Sequence, residues 1–391
     1  MEGSNGAQKR DDALVPWFLR SHIFLAVSYT SYLALGLSAR MLPGISELFY
    51  RKFPDFWTPA LAIYLLPALI IYVLGRKELP IRRRHRWIFF SLSAALSLIV
   101  SLQASFLAFL LQICVLLTLA RFWRYERSVL FSALIGSLAS FALLCREGIP
   151  LTDPLLRASI SSSPVRACFQ VSSIFVAAYS QAKYGRRGLI FLLPLATMAV
   201  LLGYKGCLAS VVASALISGM ITAEIKFREA FLIALPSAIA LFLLGTLVAR
   251  ASYGSWDIPW FLYLLYRMGF TVHVYQEVAR ISVPFGLTHG LAMLDPTKRV
   301  IADVLGVERG VGITATLTGP ATLDFGVLGV LGLSAVLGAC LRAMHPSSRS
   351  KMQIALYSSS LARILTLIDV GVGFIDLSYI LGLLYLSLET R

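Results

Sequence analysis

Charged side chains are scarce in this chain. They make up 14% of its 391 residues, where soluble domains carry about a quarter. Sequence-local catalytic signatures are missing too. There is no Gly-x4-Gly-Lys-Ser/Thr loop, which argues against ATP as the energy source, and no Gly-x-Ser-x-Gly nucleophile turn or His-Glu-x-x-His zinc pair. The five cysteines, Cys114, Cys145, Cys168, Cys207 and Cys340, have neither metal-ligand spacing nor the pattern of a disulfide framework. The leader Met1 to Arg20 is polar and lacks a cleavable signal pattern, so the first apolar stretch is expected to stay as an anchor.

What is abundant is apolar surface. Hydrophobic residues reach 58% and the mean hydropathy is +0.77. Apolar runs near 20 residues recur along the whole chain and read as membrane-spanning helices. The first is about His22 to Leu37 and the second about Thr58 to Leu74. The third and fourth form a hairpin from Trp87 to Ala120, and the fifth is about Ser128 to Leu144. The sixth ends at Lys183, the seventh reaches Leu202, the eighth follows a turn of two or three residues, and the ninth is about Ala230 to Val248. The tenth is about Ala321 to Leu341, and the last two fill Met352 to Leu388. The expected fold is therefore all-α: a polytopic integral membrane protein of about 12 transmembrane helices. Residues 1–391 form a single domain, with a large external loop at about 249–320, between spans 9 and 10.

The net charge of +15 suits this class without any nucleic-acid partner. With the N-terminus in the cytoplasm, the inner segments hold about 21 of the 35 Lys and Arg residues, as the positive-inside rule asks. The densest basic run, Arg76, Lys77, Arg82, Arg83, Arg84 and Arg86, falls inside. Both termini are expected in the cytoplasm, in a multi-pass protein of the plasma membrane.

Arg250 to Pro320 is too long for an idle loop and too apolar for disorder. Trp256 to Tyr275 is aromatic enough to lie in the membrane interface, and Lys298 to Gly310 reads as a short surface helix. Arg267 and Arg280, with His273 between them, are set among aromatics. Arginine clamps phosphate oxygens bidentately, so the loop suits an anionic, lipid-linked substrate. The bland alternative is that these arginines meet phospholipid headgroups or the loop's own carboxylates. Arg299 adds another loop cation. Lys205 sits in the short turn before the eighth span, either as a ligand or as a snorkelling lysine. Arg363 lies about ten residues into the eleventh span, where a charge marks function by default, with Asp369, Asp376 or Asp324 as candidate partners. His289 can take a proton from a sugar hydroxyl, with Glu277 and Asp295 as rivals.

Two segments carry a family resemblance. Gly312-Ile-Thr-Ala-Thr-Leu-Thr-Gly-Pro-Ala-Thr-Leu-Asp-Phe-Gly-Val-Leu-Gly329 resembles the stretch before the last spans of O-antigen polymerases, and Leu201-Leu-Gly-Tyr-Lys-Gly206 resembles their short external turn. The span count and the arginine-bearing loop match as architecture. The resemblance implies a metal-independent glycosyltransferase without cofactors. It would polymerise oligosaccharide repeat units carried on a polyprenyl diphosphate, at the outer face of the membrane. Its partners would be that lipid-linked glycan and membrane lipids, and it is compatible with further glycan-export or chain-length proteins. Carried over by position, Arg267 and Arg280 are the loop arginines, Lys205 the cationic turn residue and Asp324 the acid that opens the following helix. The catalytic set is then Arg267, Arg280, His289 and Glu277, and the substrate-binding set Lys205, Asp324, Arg299 and Arg363.

Related O-antigen ligases share the architecture and use an external histidine, so a ligase-type transfer is the first alternative. A flippase for the same lipids is the second. It should show two similar halves with matching midplane polar groups, whereas only the eleventh span carries an intramembrane charge.

Overall fold

The computed structural model describes residues 15–42, 60–76, 81, 83–104, 126–160, 163–253, 258–295, 297–307, 313–346, 348 and 350–390. Every regular element among them is helical. The chain is an all-α membrane protein. In order the helices are α1 (Ser21–Ala39), α2 (Ala60–Arg76), α3 (Arg86–Ala104), α4 (Glu126–Leu144), α5 (Pro154–Ile160), α6 (Pro164–Tyr184), α7 (Leu189–Leu201) and α8 (Lys205–Ile221). They continue with α9 (Phe227–Tyr253), α10 (Tyr263–Ser282), α11 (Leu291–Leu294), α12 (Arg299–Val304), α13 (Gly319–Met344), α14 (Lys351–Val370) and α15 (Phe374–Glu389).

Helices occupy eleven of the twelve stretches expected to span; the fourth, about Ala104 to Ala120, lies outside the described residues from 105 onward. Among the described residues, four helical stretches are long and apolar enough to cross a membrane by themselves: Ser21–Ala39, Val165–Leu201, Phe227–Ala251 and Gly319–Met344. The others are shorter or carry more polar groups, and they bury these against one another.

That polar content does the joining. Apolar side chains gain little from leaving lipid for protein, so spans associate through close packing and hydrogen bonds. Ser93 on α3 donates to the Ser378 carbonyl of α15 at 2.7 Å, and Ser378 donates back to the Ser93 carbonyl at 2.8 Å. Ser218 and Ser214 on α8 reach the carbonyls of Ala178 and Ile174 on α6 at 2.7 and 3.1 Å.

The apolar core has two parts. One gathers α1, α2, α10, α13, α14 and α15 around Tyr29, Tyr275, Leu337 and Leu361. The other gathers α4, α6, α7, α8 and α9 around Phe169, Leu195, Val211 and Leu244. Helices α6 and α8 pack on α14 and join the two. One end of the bundle is closed by Arg86 on Glu389 at 2.6 Å and by the Tyr357 hydroxyl on the Leu19 carbonyl at 2.8 Å. Lys205, Arg267, Asp369 and Asp376 gather toward the opposite end.

The stretch from 258 to 307 is more ordered than a loop. Helix α10 has 20 residues and packs along the second half of α1, running in the same direction: Gly36 meets Met268 and Val272, and Arg40 binds Gln276. A Cβ on Gly36 would stand 2.6 Å from Val272 and 2.9 Å from the Met268 carbonyl, so only glycine permits this approach. The segment expected to lie in the interface therefore enters the bundle. Its buried face of Val272, Tyr275, Val278 and Ala279 drives that, while Arg267, Gln276, Glu277 and Arg280 keep its hydropathy low. Of the short helix expected over Lys298 to Gly310, Arg299–Val304 forms α12, and residues 308–310 lie outside the described residues.

Candidate functional site

The Asp324-Phe325-Gly326 segment shapes the region. Gly326 breaks α13 with φ 56°, a conformation that costs a side chain but not glycine. The break frees backbone groups, which must find other partners away from water. The connection after α10 supplies them. Leu287 N–H donates to the Leu323 carbonyl at 2.7 Å, and Val327 N–H to the Pro284 carbonyl at 3.1 Å. The fit leaves no space: a Cβ on Gly326 would lie 2.0 Å from the Pro284 oxygen. Asp324 completes the joint. Its carboxylate accepts from the Thr288 hydroxyl at 2.5 Å and from the N–H groups of Ala292 and Met293 at 3.0 and 2.8 Å. It thus caps α11 and is buried there. His289 rides on the same connection, with its side chain exposed.

Helix α10 presents Arg267 one turn from its start. Its Nε donates to Asp369 Oδ2 at 3.3 Å, at the end of α14, and another of its nitrogens donates to the Thr314 hydroxyl at 2.5 Å. Asp369 Oδ1 accepts from Tyr32 of α1 at 2.5 Å and from Thr271 at 3.1 Å. Lys205, first residue of α8, lies over the Tyr263 ring, 4.5 Å from its centroid, and donates to the Tyr263 hydroxyl. It sits within electrostatic range of both Arg267 and Asp369. Five segments from both parts of the core meet here. The Arg267 and Asp369 side chains nevertheless keep 27% and 32% of their surface, as groups lining a concavity do.

A second cluster lies beside it. Arg363 pairs with Asp376 at 2.5 Å, and both are largely enclosed. The second oxygen of Asp376 accepts from Gly373 N–H at 3.0 Å. Of the three candidate partners for Arg363, Asp376 is the one it meets. Lys298 is buried near this pair, and burial lowers its ammonium below the usual lysine range against the pull of Asp376 and Asp295. Asp295 is held below the usual carboxylate range. Burial pushes it up, but the Thr297 hydroxyl at 2.5 Å and the N–H groups of Val300 and Thr297 at 3.0 and 2.8 Å outweigh that. Arg299 is exposed on α12.

The remaining candidates lie elsewhere. Arg280 is exposed and pairs with Glu277 at 2.7 Å, one turn away. Thirteen helical residues separate it from Arg267, about 20 Å along the axis. The structure therefore joins Arg267 with Lys205 but not with Arg280, Glu277 or His289. It also adds residues that the sequence did not single out. Tyr32 looks like any tyrosine in an apolar span. Arg157 and Arg166 flank the turn before Lys205: Arg166 stacks over the Tyr204 ring at 4.9 Å, and the Arg157 carbonyl accepts from the Tyr204 hydroxyl at 3.4 Å. Among the described residues, no three His, Cys, Asp or Glu side chains come together as metal ligands.

A confined basic site of this kind suits an anion carried at the membrane surface. Comparison with known proteins agrees with the architecture. The chain is 26% identical over 303 residues to an uncharacterized protein of Methanocaldococcus jannaschii, covering 76% of this chain and 74% of that one. No solved structure matches it. The model of the O-antigen polymerase family matches residues 21–383, nearly end to end and across both segments that shape the site, and the chain belongs to that family.

Proposed function

We propose that this protein polymerises lipid-diphosphate-linked oligosaccharide repeat units at the outer face of the cytoplasmic membrane. In this reading it has about 12 spans, both termini are cytoplasmic, and the end of the bundle bearing Lys205 and Arg267 faces outward. The basic loops support that orientation. The observation that carries the reaction is the meeting of Lys205 and Arg267 in a partly open concavity where, among the described residues, Asp369 is the close carboxylate.

An acceptor hydroxyl oxygen attacks the anomeric carbon of the donor glycan, and the bond from that carbon to the diphosphate oxygen breaks. The diphosphate leaves with the electron pair, and its growing charge is where stabilisation counts most. Arg267 offers a planar fork to phosphate oxygens and Lys205 a point charge, so no metal is required for that role. The acceptor proton needs a base nearby. Asp369 is the carboxylate beside Arg267, and it becomes available as Arg267 turns to the diphosphate. Glu277 is ten residues further along α10, about 15 Å away, and His289 is on the exposed connection. We therefore assign the proton to Asp369 ahead of those two. Asp324 and the Arg363–Asp376 pair hold the walls of the cavity.

The test is transfer by the purified protein in nanodiscs, given a lipid-diphosphate oligosaccharide with chelator present and no nucleotide. Longer lipid-linked products from wild type, absent from Arg267→Gln and Lys205→Met, support the reading. Products formed only when a different acceptor lipid is added point to ligase-type transfer. Labelled lipid moving between leaflets, with no new glycosidic bond, points to a flippase and refutes the enzyme.

A further inference from the structure

Lys298 is a charged residue placed where the chain has little room for one. It is 5% exposed. Its backbone holds the left-handed region, at φ 61° and ψ 25°, which a residue with a Cβ keeps only where its surroundings fix it. The reaction above makes no use of it.

Its two ends are tied to different parts of the site. At the backbone, the Lys298 carbonyl accepts from Ile313 N–H at 3.2 Å. The next residue is Thr314, whose hydroxyl accepts from Arg267 at 2.5 Å. At the other end, the ammonium lies against the turn between α14 and α15. A Cβ on Gly373 would stand 3.3 Å from Lys298 Nζ, 3.7 Å from Asp376 Oδ2 and 2.9 Å from the Met293 carbonyl, so glycine is what lets the lysine reach in. Gly373 follows Asp369 by four residues. The turn is also stitched to the Thr314 segment, with Val372 N–H donating to the Leu317 carbonyl at 3.0 Å. Lys298 thus meets both segments that present partners to Arg267.

The surrounding charges hold the ammonium there. Asp376 on α15 attracts it most; Asp295 on its own connection and Asp324 on α13 add to that, and Arg363 on α14 opposes it. Asp376 divides its carboxylate between Arg363 at 2.5 Å and Gly373 N–H at 3.0 Å, which fixes its place over the turn. Burying an ammonium costs solvation, so here position is set by charge more than by packing. A methionine of similar length fills the same space and isolates that charge.

We propose that Lys298 is a positioning residue for the transfer reaction: it locks the segment bearing Thr314 onto the turn that follows Asp369, and so sets the direction in which Arg267 meets the departing diphosphate. The proposal rests on the reading that the protein transfers glycan from a lipid diphosphate.

Full-length protein in nanodiscs is given the lipid-diphosphate oligosaccharide, and kcat, KM and thermal unfolding are measured. The variants are Lys298→Met, Gly373→Ala, Arg267→Gln and the double variant Lys298→Met with Arg267→Gln. Asp303→Asn, exposed on α12, is the control and should match wild type. Lys298→Met is expected to lower kcat about 10- to 100-fold, as small misplacements of a catalytic group do, with KM within about threefold of wild type. Gly373→Ala leaves the lysine in the chain but takes its room, and should reproduce the loss. The double variant should be no slower than Arg267→Gln alone, because both changes act on the same step. Wild-type kcat in both Lys298→Met and Gly373→Ala overturns the proposal and leaves the lipid-diphosphate reading standing. So does a double-variant loss equal to the product of the single losses, or a rate loss accounted for by the fraction of unfolded protein. If Lys298→Met does not fold, Gly373→Ala, alone and combined with Arg267→Gln, decides by the same criteria. No product from wild type overturns the reading and the proposal with it.

Discussion

Helix α10 carries two arginine–carboxylate pairs that use the same chemistry in different settings. Arg280 pairs with Glu277 at 2.7 Å on its own helix, and the arginine keeps 66% of its side-chain surface. Arg267 pairs with Asp369 at a longer 3.3 Å, across 102 residues of sequence, with Tyr32, Thr271 and Thr314 arranged around the two. The shorter contact is the weaker commitment. An exposed pair one turn apart gains little in water and is screened by salt. The Arg267 pair is assembled from α1, α10, α14 and the segment before α13, so its geometry is fixed by the fold. Reach alone does not make a functional arginine; a polar frame that leaves part of the guanidinium accessible does.

The comparison is broken most directly by removing each arginine. Arg267→Gln is expected to lower the transfer rate by about 10²–10³-fold, the usual cost of losing one donor to developing negative charge. Arg280→Gln should stay within about twofold of wild type, as surface changes away from such features do. Initial rates of glycan extension at saturating lipid-linked substrate measure both. Comparable losses in the two variants would mean that α10 works along its whole length and that the distinction drawn here is wrong.

Asp369→Asn sharpens the same contrast. The amide keeps the size of the carboxylate but removes the charge opposite Arg267 and the proposed proton acceptor. Its effect should fall near the lower end of the range typical of general-base removal, about 10²-fold. Because the ion pair with Arg267 favours the ionised carboxylate, the wild-type rate should fall only on acidification, and that acid limb should vanish in the variant. An Asp369→Asn rate that still follows the wild-type pH profile would place the base elsewhere.

How much of this was legible beforehand follows from where each signal sits. The spans could be read because hydropathy is a local property, and α1, α9 and α13 keep it over 19 residues or more. Helix α10 was hidden because Arg267, His273, Gln276, Glu277 and Arg280 dilute an apolar face that appears only at helical spacing. Lys205 stood out as a cation in a very short turn. Asp324 stood out in its motif, but its work, capping α11 beside the break at Gly326, depends on contacts more than thirty residues away. Asp369 was visible as an acid near the end of a span, yet nothing local chooses Arg267 over Arg363 as its partner. Tyr32 carried no signal at all, because its role exists only where α1 crosses α10 and α14.

Coupling energies test the contrast without relying on activity. A double-mutant cycle of Arg267→Gln with Asp369→Asn should give an interaction of about 1–3 kcal/mol in unfolding free energy, as for residues that share one hydrogen-bond network. The corresponding cycle of Arg280→Gln with Glu277→Gln should give about 0.2–1 kcal/mol and shrink as salt is added. Denaturation in one detergent at two salt concentrations supplies all the terms.

Glu277→Gln alone should have the smallest effect of the set. Its carboxylate reaches Arg280 and lies within electrostatic range of Arg40, the residue that ties the end of α1 to Gln276. Neutralising it removes one exposed pair, so stability should change by about 0.5 kcal/mol or less. Transfer should be unaffected, because about 15 Å of helix separates Glu277 from Arg267, beyond direct proton transfer. A large rate loss with unchanged stability would move the chemistry to the Arg280 end of α10. The Arg267 cluster would then be structural, and its open concavity would need another occupant.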